Sequence, residues 1–161
     1  MAHQNYSPEI ADVILSFLDG LVLGYTFSDE TGMFKFALTM DPPPNLLRFH
    51  VHVRADDFLT YAIFPLSLDV ENDDKRIAMT EFLCRVNYGL PYGNFELDLE
   101  DGTLRYKVTV DCDGREPTSD LFLDSIVLSV STFQRFSPGI LAIYFSDDTG
   151  EEAFARCETP D

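Results

Sequence analysis

Cysteine is scarce in this sequence. The 161 residues include only Cys84, Cys112 and Cys157, an odd number spread far apart, and no Cys-x-x-Cys motif occurs. A disulfide framework needs paired cysteines, so this pattern argues against one. Because disulfides are characteristic of oxidising compartments, a reducing cytoplasm is the expected location.

Basic residues are also few. Eleven Lys and Arg stand against 28 Asp and Glu, which gives a net charge of −17. Such a field repels nucleic-acid phosphates and anionic lipid heads, so neither nucleic acid nor a membrane is expected as a partner. Solubility explains the acidity most simply. Attraction to a basic partner is a second explanation, and mimicry of nucleic acid is disfavoured because the acids are scattered along the chain.

Targeting and membrane-spanning signals are missing as well. The first residues contain no basic segment followed by an apolar one, so a secretory signal is not expected. No window reaches the roughly 18 apolar residues that a membrane span needs.

The sequence contains none of the common catalytic or cofactor-binding motifs. Gly-x-Ser-x-Gly, the Walker loop, Gly-x-Gly-x-x-Gly and His-Glu-x-x-His do not occur. The acidic segments 69–74 and 111–114 do not fit the calcium-binding loop of an EF-hand. The sequence therefore predicts no catalytic residue, no metal and no cofactor.

Aromatic residues are plentiful. Fourteen Phe and seven Tyr, in a chain that is 45% apolar, can fill a core of large volume. The length suits one domain, which we expect over residues 1–146. Residues 147–161 contain six acids and one Arg, and they predict a frayed, solvated acidic tail.

Local patterns predict an α+β fold in the order α-β-β-β-(β)-α-β-β-α-α. Short links between strands favour antiparallel pairing, with the helices packed on one face of the sheet. Pro65 suggests an edge strand or a bent segment. The first predicted helix is 8–19, with Ser7 as its cap. The second is capped by Asp73 or Asp74 and runs to about residue 88, and its apolar positions are Ile77, Met79, Phe82, Leu83 and Val86. The third is capped by Thr118 or Ser119 and runs to about residue 136, and Ser137-Pro138 opens a fourth at 139–145. The predicted strands are 25–27, 33–40, 46–54, 59–70, 94–100 and 103–111.

A β-hairpin at residues 94–111 is the strongest local prediction. Asp101-Gly102 is a typical type I′ turn, and a two-residue turn fixes the register of its strands. That register places Leu99 opposite Leu104, Asp98 opposite Arg105 and Glu96 opposite Lys107. Cross-strand pairs of this kind contribute roughly 0.2–1 kcal/mol each.

Residues 46–54 alternate cleanly between apolar and basic side chains, which is typical of a half-buried strand. One side should face the core, and the other carries a basic stripe. Cross-strand pairing with nearby carboxylates is one explanation for this stripe; binding of an acidic peptide or of a dimer mate, with pH sensitivity from the histidines, is the other. The candidate partner-facing residues are Arg48, His50, His52 and Arg54, together with Arg105 and Lys107 on the same side of the sheet.

His50 and His52 also have the spacing of paired metal ligands, since both rings project from one face of a strand. The sequence indicates no third ligand, and His3 lies near the terminus. Arg48 and Arg54 would repel a cation. A metal site is therefore not expected here.

Residues 87–98 read Asn-Tyr-Gly-Leu-Pro-Tyr-Gly-Asn-Phe-Glu-Leu-Asp and precede the Asp-Gly turn. This segment resembles the bacterial YbjN-domain family, as do Arg105-Tyr106 and the stretch 133–138. The resemblance covers roughly residues 8–146. It implies a fold like that of type III secretion chaperones, with a twisted antiparallel sheet, packed helices and frequent dimers.

Members of this family are described as regulators of sensory transduction, and the matched motif contains no catalytic residue. In this chain Asn87, Gly93 and Phe95 match the motif, and their implied role is to shape the corner between a helix and a strand. The leading hypothesis is a non-catalytic, dimeric protein-binding domain with a regulatory or chaperone-like role. The alternative is a small-ligand-binding protein or enzyme with a pocket between the sheet and the helices.

Overall fold

The chain folds into one antiparallel sheet with its helices on one side. The computed structural model describes residues 5–21, 23–115 and 117–158. The helices are α1 (Pro8–Gly20), α2 (Asp73–Gly89), α3 (Ser119–Phe145) and α4 (Gly150–Glu158). The strands are β1 (Tyr25–Ser28), β2 (Met33–Thr39), β3 (Leu46–Val53), β4 (Asp57–Ser67), β5 (Asn94–Leu97) and β6 (Thr103–Asp111).

The strands lie in the order β1-β2-β3-β4-β6-β5, and every neighbouring pair is antiparallel. The predicted α+β class and the antiparallel sheet are confirmed. Because β4 lies inside the sheet, the prediction that Pro65 marks an edge strand is wrong. Its pairing with β6 shifts between Ile63 and Ser67, so Pro65 lies in an irregular, bent segment instead.

The inner face of the sheet forms the core together with α3. The predicted alternation in β3 is confirmed, since Leu47, Phe49 and Val51 are fully buried. The buried hydroxyls of Thr60 on β4 and Ser125 on α3 lie 2.9 Å apart and form a hydrogen bond. Burial of large aromatic side chains on this face is the main stabilising contribution.

Helix α3 continues through Ser137 and Pro138, so the predicted break between two helices is wrong. The Ser137 hydroxyl donates to the Phe133 carbonyl at 2.6 Å instead of capping a new helix. A proline inside a helix costs about 3 kcal/mol. Ile140 and Ile143 continue the buried side of α3 beyond the proline, and their burial offsets that cost.

Helix α3 is also long and apolar enough to cross a membrane, judged by length and composition alone. Half of its most apolar window is buried inside the fold. Core helices of globular domains have the same properties, so this feature is weak evidence for a membrane span.

Residues 150–158 form helix α4, so the frayed-tail prediction is wrong for them. Helix α4 packs on α2 and α3, and Ala153 is fully buried. Thr149 and Glu152 form a capping box: the Glu152 amide donates to the Thr149 hydroxyl, and the Thr149 amide donates to the Glu152 carboxylate. This spacing of Thr and Glu in the sequence indicates the start of a helix, and the sequence analysis did not use it. The division of the chain at residue 146 stays a prediction.

The predicted hairpin exists, but its register is wrong by two residues. Glu96 pairs with Arg105 and Leu97 with Leu104, and residues 98–102 form the loop. The carbonyl of Gly102 accepts from the Leu68 amide at 2.8 Å, and Gly102 has a φ of +73°. A Cβ there would lie 2.0 Å from the Leu68 carbonyl oxygen. This contact outside the hairpin shapes the loop, and a shift of two leaves each side chain on its predicted face.

Asn87, Gly93 and Phe95 shape the corner between α2 and β5, as the family resemblance implies. The Asn87 side chain accepts from the Phe95 amide at 2.8 Å and donates to the Phe95 carbonyl at 3.0 Å. Gly93 has a φ of +66°, and a Cβ there would lie 2.5 Å from the Tyr106 hydroxyl. Asn87 therefore holds the backbone of β5, and glycine permits the close approach of Tyr106.

The predicted helix caps are confirmed at Ser7 for α1 and at Thr118 for α3. The cap of α2 is Asn72, whose side chain accepts from the Lys75 amide at 3.1 Å. The prediction of Asp73 or Asp74 as this cap is therefore wrong, since Asn72 directly precedes Asp73. Ile77, predicted on the buried side of α2, is 62% exposed.

Candidate functional site

The outer face of the sheet carries the side chains that alternate with the core residues. Strand pairing arranges them in rows that run across the sheet. One row contains Lys35, His50, Tyr61, Lys107 and Asn94. The next contains Ala37, Arg48, Ile63, Arg105 and Glu96. These residues are half-buried or exposed, and within the described chain no helix covers them.

This face is basic in an otherwise acidic protein. The strands contain four of the 11 Lys and Arg and two of the three His, but only three of the 28 acids: Asp57, Glu96 and Asp111. We call the set Lys35, Arg48, His50, His52, Arg105 and Lys107 the basic face. Arg54 lies at its edge, directly after β3. The predicted stripe and the predicted Arg105 and Lys107 do share one side of the sheet.

Three of the predicted cations pair with local carboxylates. The Arg54 Nε donates to Asp57 Oδ1 at 2.5 Å, and the Arg105 Nε donates to Glu96 Oε2 at 2.7 Å. Lys107 donates to the other oxygen of Glu96. Glu96 therefore holds two cations, where the sequence predicted Asp98 as the partner of Arg105. Burial alone would raise the pKa of Glu96, but the hydrogen bonds from Lys107 and Arg105 hold it below its ordinary value.

Lys35 and Arg48 are different, because neither forms an ion pair or side-chain hydrogen bond with another described residue. Both are exposed, and His50 lies between them on the face. Burial lowers the pKa of His50, and the charges of Lys35 and Arg48 lower it further. This end of the basic face therefore carries positive charge that the fold leaves unneutralised, and such groups bind carboxylate or phosphate oxygens.

Apolar and aromatic side chains lie among these cations. The Arg105 guanidinium stacks 4.3 Å from the centre of the Tyr61 ring. Met33, Leu59 and Ile63 are half-buried on the same face. Arginine, aromatic and methionine side chains are enriched at protein interfaces. The sequence patterns missed Lys35 and Tyr61, because only the strand order reveals that they neighbour His50.

His50 and His52 share one face, as their spacing predicts. Across residues 5–21, 23–115 and 117–158, no three His, Cys, Asp or Glu side chains come close enough together to hold a metal ion. Lys35 and Arg48 next to the histidines would repel a cation.

The space between the sheet and α3 is filled by aromatic rings. Phe122 packs edge-on against Phe36 and Phe58, and Phe133 packs against Phe64 and Phe95, with ring centres 5.1–6.3 Å apart. Every buried side-chain N or O atom of the described residues has a hydrogen-bond partner. The packing thus offers no support for the alternative of a ligand pocket between the sheet and the helices.

Comparisons with known proteins agree with the fold. A family model described as "YbjN: Putative bacterial sensory transduction regulator" matches residues 11–142. Among solved structures, a chain of the "Crystal Structure of the ExsC-ExsE Complex" is similar, with a TM-score of 0.50 and 17% identity. The match covers 78% of this chain and 91% of that chain, which has a type III secretion chaperone fold. No curated protein matches the sequence.

Proposed function

The chain belongs to the YbjN family, and from this premise we propose that it is a non-catalytic protein-binding domain with a regulatory or chaperone-like role. The family's description as a sensory transduction regulator supports this role. So does the likeness in fold to a chain of a protein complex, the ExsC-ExsE complex.

The observation that carries the proposal is the uncovered basic face. Lys35 and Arg48 stay unpaired in a described structure whose sequence supplies 28 acids. An acidic segment of a partner would neutralise them, and its apolar side chains would cover Met33, Leu59 and Ile63.

The partner-binding domain is proposed to act as a homodimer in the cytoplasm. The three cysteines are all free, which agrees with a reducing compartment. In a two-fold dimer each surface meets its own copy. The basic face would then oppose like charges, so it suits a different partner and the second copy should dock elsewhere.

Photo-crosslinking from the basic face tests the proposal. A benzophenone amino acid replaces Ala37, which is exposed and pairs with Arg48 across the sheet. The matched control carries it at Ser131, which is exposed on α3 on the opposite side of the molecule. Both variants are irradiated in cells that naturally contain the protein, and the adducts are identified by mass spectrometry.

We expect residue 37, and not residue 131, to capture a protein through an acidic segment. Replacing Lys35 and Arg48 with Glu in the residue-37 variant should abolish that adduct. An adduct that persists after this charge reversal, a captured segment without acidic residues, or equal capture at residues 37 and 131 would contradict the proposal.

A further inference from the structure

Helix α1 and the start of α3 form the walls of a shallow groove on the helical side of the molecule. The groove has a volume of about 710 Å³, and its lining includes Val13, Phe17 and Leu21 of α1 and Ser119 of α3. Leu123 lies one turn beyond Ser119 on the same side of α3, so it extends that wall. We call this surface the α1–α3 groove.

The apolar side chains of the α1–α3 groove are not covered by the rest of the fold. Leu21 is 53% exposed and Leu123 is 40% exposed. Phe17 is half-buried, with its ring edge-on to Phe122 at 5.4 Å between ring centres. A helix that carries apolar residues beyond its core side is normally covered there as well, and adjacent exposed apolar side chains indicate an interaction surface.

Acidic side chains surround the groove. Asp12 lines it, and Asp120 and Asp124 are exposed on the first two turns of α3. None of the three forms an ion pair with another described residue. Helix α1 contains no Lys or Arg, and Arg135, the only one in α3, lies about three turns beyond Asp124. An apolar groove with uncompensated negative charge around it favours a partner that carries Lys or Arg.

The walls of the groove also restrict the conformation of a segment that binds there. Both walls are helices, whose backbone N–H and C=O groups bond within each helix. A bound segment therefore finds no strand edge to pair with and must satisfy its own backbone groups. A helix does so, and an amphipathic helix laid in an apolar groove is a common mode of peptide recognition.

We propose that the α1–α3 groove binds an amphipathic, basic helix of a second partner protein. The apolar side chains of that helix pack on Phe17, Leu21 and Leu123, and its Lys or Arg side chains lie next to Asp12 and Asp120. This site goes beyond the proposed function, because the groove is on the helical side of the sheet and the basic face is on the other side. The domain can therefore hold an acidic segment and a basic helix at the same time.

Fluorescence anisotropy of the full chain with a designed peptide, at about 0.15 M salt, tests this proposal. The labelled probe reads Leu-Lys-Lys-Leu-Leu-Lys-Leu-Leu-Lys-Lys-Leu-Leu-Lys-Leu, which as a helix has leucine on one side and lysine on the other. One control peptide has glutamate in place of every lysine. The other alternates leucine and lysine, which is the pattern of a strand.

Two matched pairs of protein variants locate the bound probe. Leu123→Gln is paired with Leu66→Gln, because Leu66 is 43% exposed and its carbonyl accepts from Tyr144 near the other end of α3. Asp12→Lys is paired with Glu100→Lys, because Glu100 is exposed in the hairpin loop and both changes move the net charge from −17 to −15. Circular dichroism checks that each variant is folded, as expected for exposed positions.

We expect the Leu/Lys helix to bind at least roughly tenfold more tightly than either control peptide. Leu123→Gln and Asp12→Lys should each raise its dissociation constant by roughly fivefold or more, since one removes an apolar contact and the other an attractive charge. Leu66→Gln and Glu100→Lys should leave it within about twofold.

Three results would overturn the proposal. Equal weakening by Asp12→Lys and Glu100→Lys would show that net charge alone attracts the peptide. Equal effects of the two leucine variants would place the peptide outside the groove. Absence of binding by the Leu/Lys helix, or binding no tighter than that of the alternating peptide, would show that the groove does not select a basic helix. None of these results bears on capture of an acidic segment at residue 37, which the photo-crosslinking experiment measures separately.

Discussion

The two faces of the sheet consist of alternate residues of the same strands, yet their environments are opposite. On β3, Phe49 is fully buried beneath the helices, whereas its neighbour Arg48 is exposed and has no carboxylate partner among the described residues. The inner face contributes apolar burial, and the outer face contributes charge. The comparison predicts that an unpaired cation on the outer side of a strand, such as Arg48, can be replaced with little effect on stability.

The largest expected effect is on the inner face. Phe49→Ala should lower the free energy of unfolding by about 3–5 kcal/mol, because it leaves a cavity in a closely packed core. Arg48→Ala, one residue away, should change it by no more than about 0.5 kcal/mol. Urea denaturation followed by circular dichroism measures both. Similar losses for the two variants would mean that the outer face is also part of the stabilising core.

A smaller effect is expected at Glu96, where the outer face does contribute to stability. Glu96→Gln should cost about 1 kcal/mol at pH 7, since Arg105 and Lys107 both lose their carboxylate. The folded pKa of Glu96 is lowered, so its contribution is present above the ordinary value of 4.5 and is lost as pH falls through the folded pKa.

Urea denaturation of wild type and Glu96→Gln at pH 7 and at about pH 3 measures this contribution. The difference between the two proteins should be smaller at the acidic pH. A difference of equal size at both pH values would show that the charge of Glu96 is not its cause.

The smallest effect is expected at His50. Its folded pKa is below the ordinary 6.5, so the folded state binds this proton less readily than the unfolded state. Stability should therefore fall as pH drops from 6.5 to the folded pKa. Lys35 on β2, Arg48 on β3 and Tyr61 on β4 face His50, and Lys35→Gln should move its pKa back towards 6.5.

An NMR titration of the His50 imidazole in wild type and in Lys35→Gln checks this pKa directly. An equal pKa in the two proteins would show that the charge of Lys35 does not affect the pKa of His50. A wild-type pKa above 6.5 would contradict the environment described for this histidine.

Features that depend on local patterns could be predicted from the sequence. The alternation of residues 46–53 depends only on the period of a strand, so it assigned Phe49 to the core and Arg48 to the outer face. The YbjN resemblance and the α+β fold were likewise confirmed. The roles of Asn87 and Gly93 were implied by the motif at residues 87–98 that carries this resemblance.

Features decided by distant contacts could not be predicted. The hairpin register depends on Leu68, which packs against Gly102 from outside the hairpin. Helix α3 continues through Pro138 because residues C-terminal to the proline are buried in the core. Helix α4 packs on α2 and α3. The acidic sequence of this segment gives no indication of those contacts.

The candidate site also has some features that could be predicted from the sequence and others that could not. The shared side of Arg48, His50, Arg105 and Lys107 followed from strand alternation and the hairpin. The neighbouring position of Lys35, and the pairing of one Glu96 with two cations, required the strand order. That the basic face binds a partner stays a prediction.

Binding of the partner captured at residue 37 can be measured for two charge reversals, Arg48→Glu and Arg135→Glu. Each moves the net charge from −17 to −19, and Arg135 is exposed on α3, away from the sheet. Arg48→Glu should raise the dissociation constant at least roughly tenfold, and Arg135→Glu should leave it within about twofold. Equal weakening by both would show that only net charge matters, and no weakening by Arg48→Glu would show that the partner does not bind the basic face.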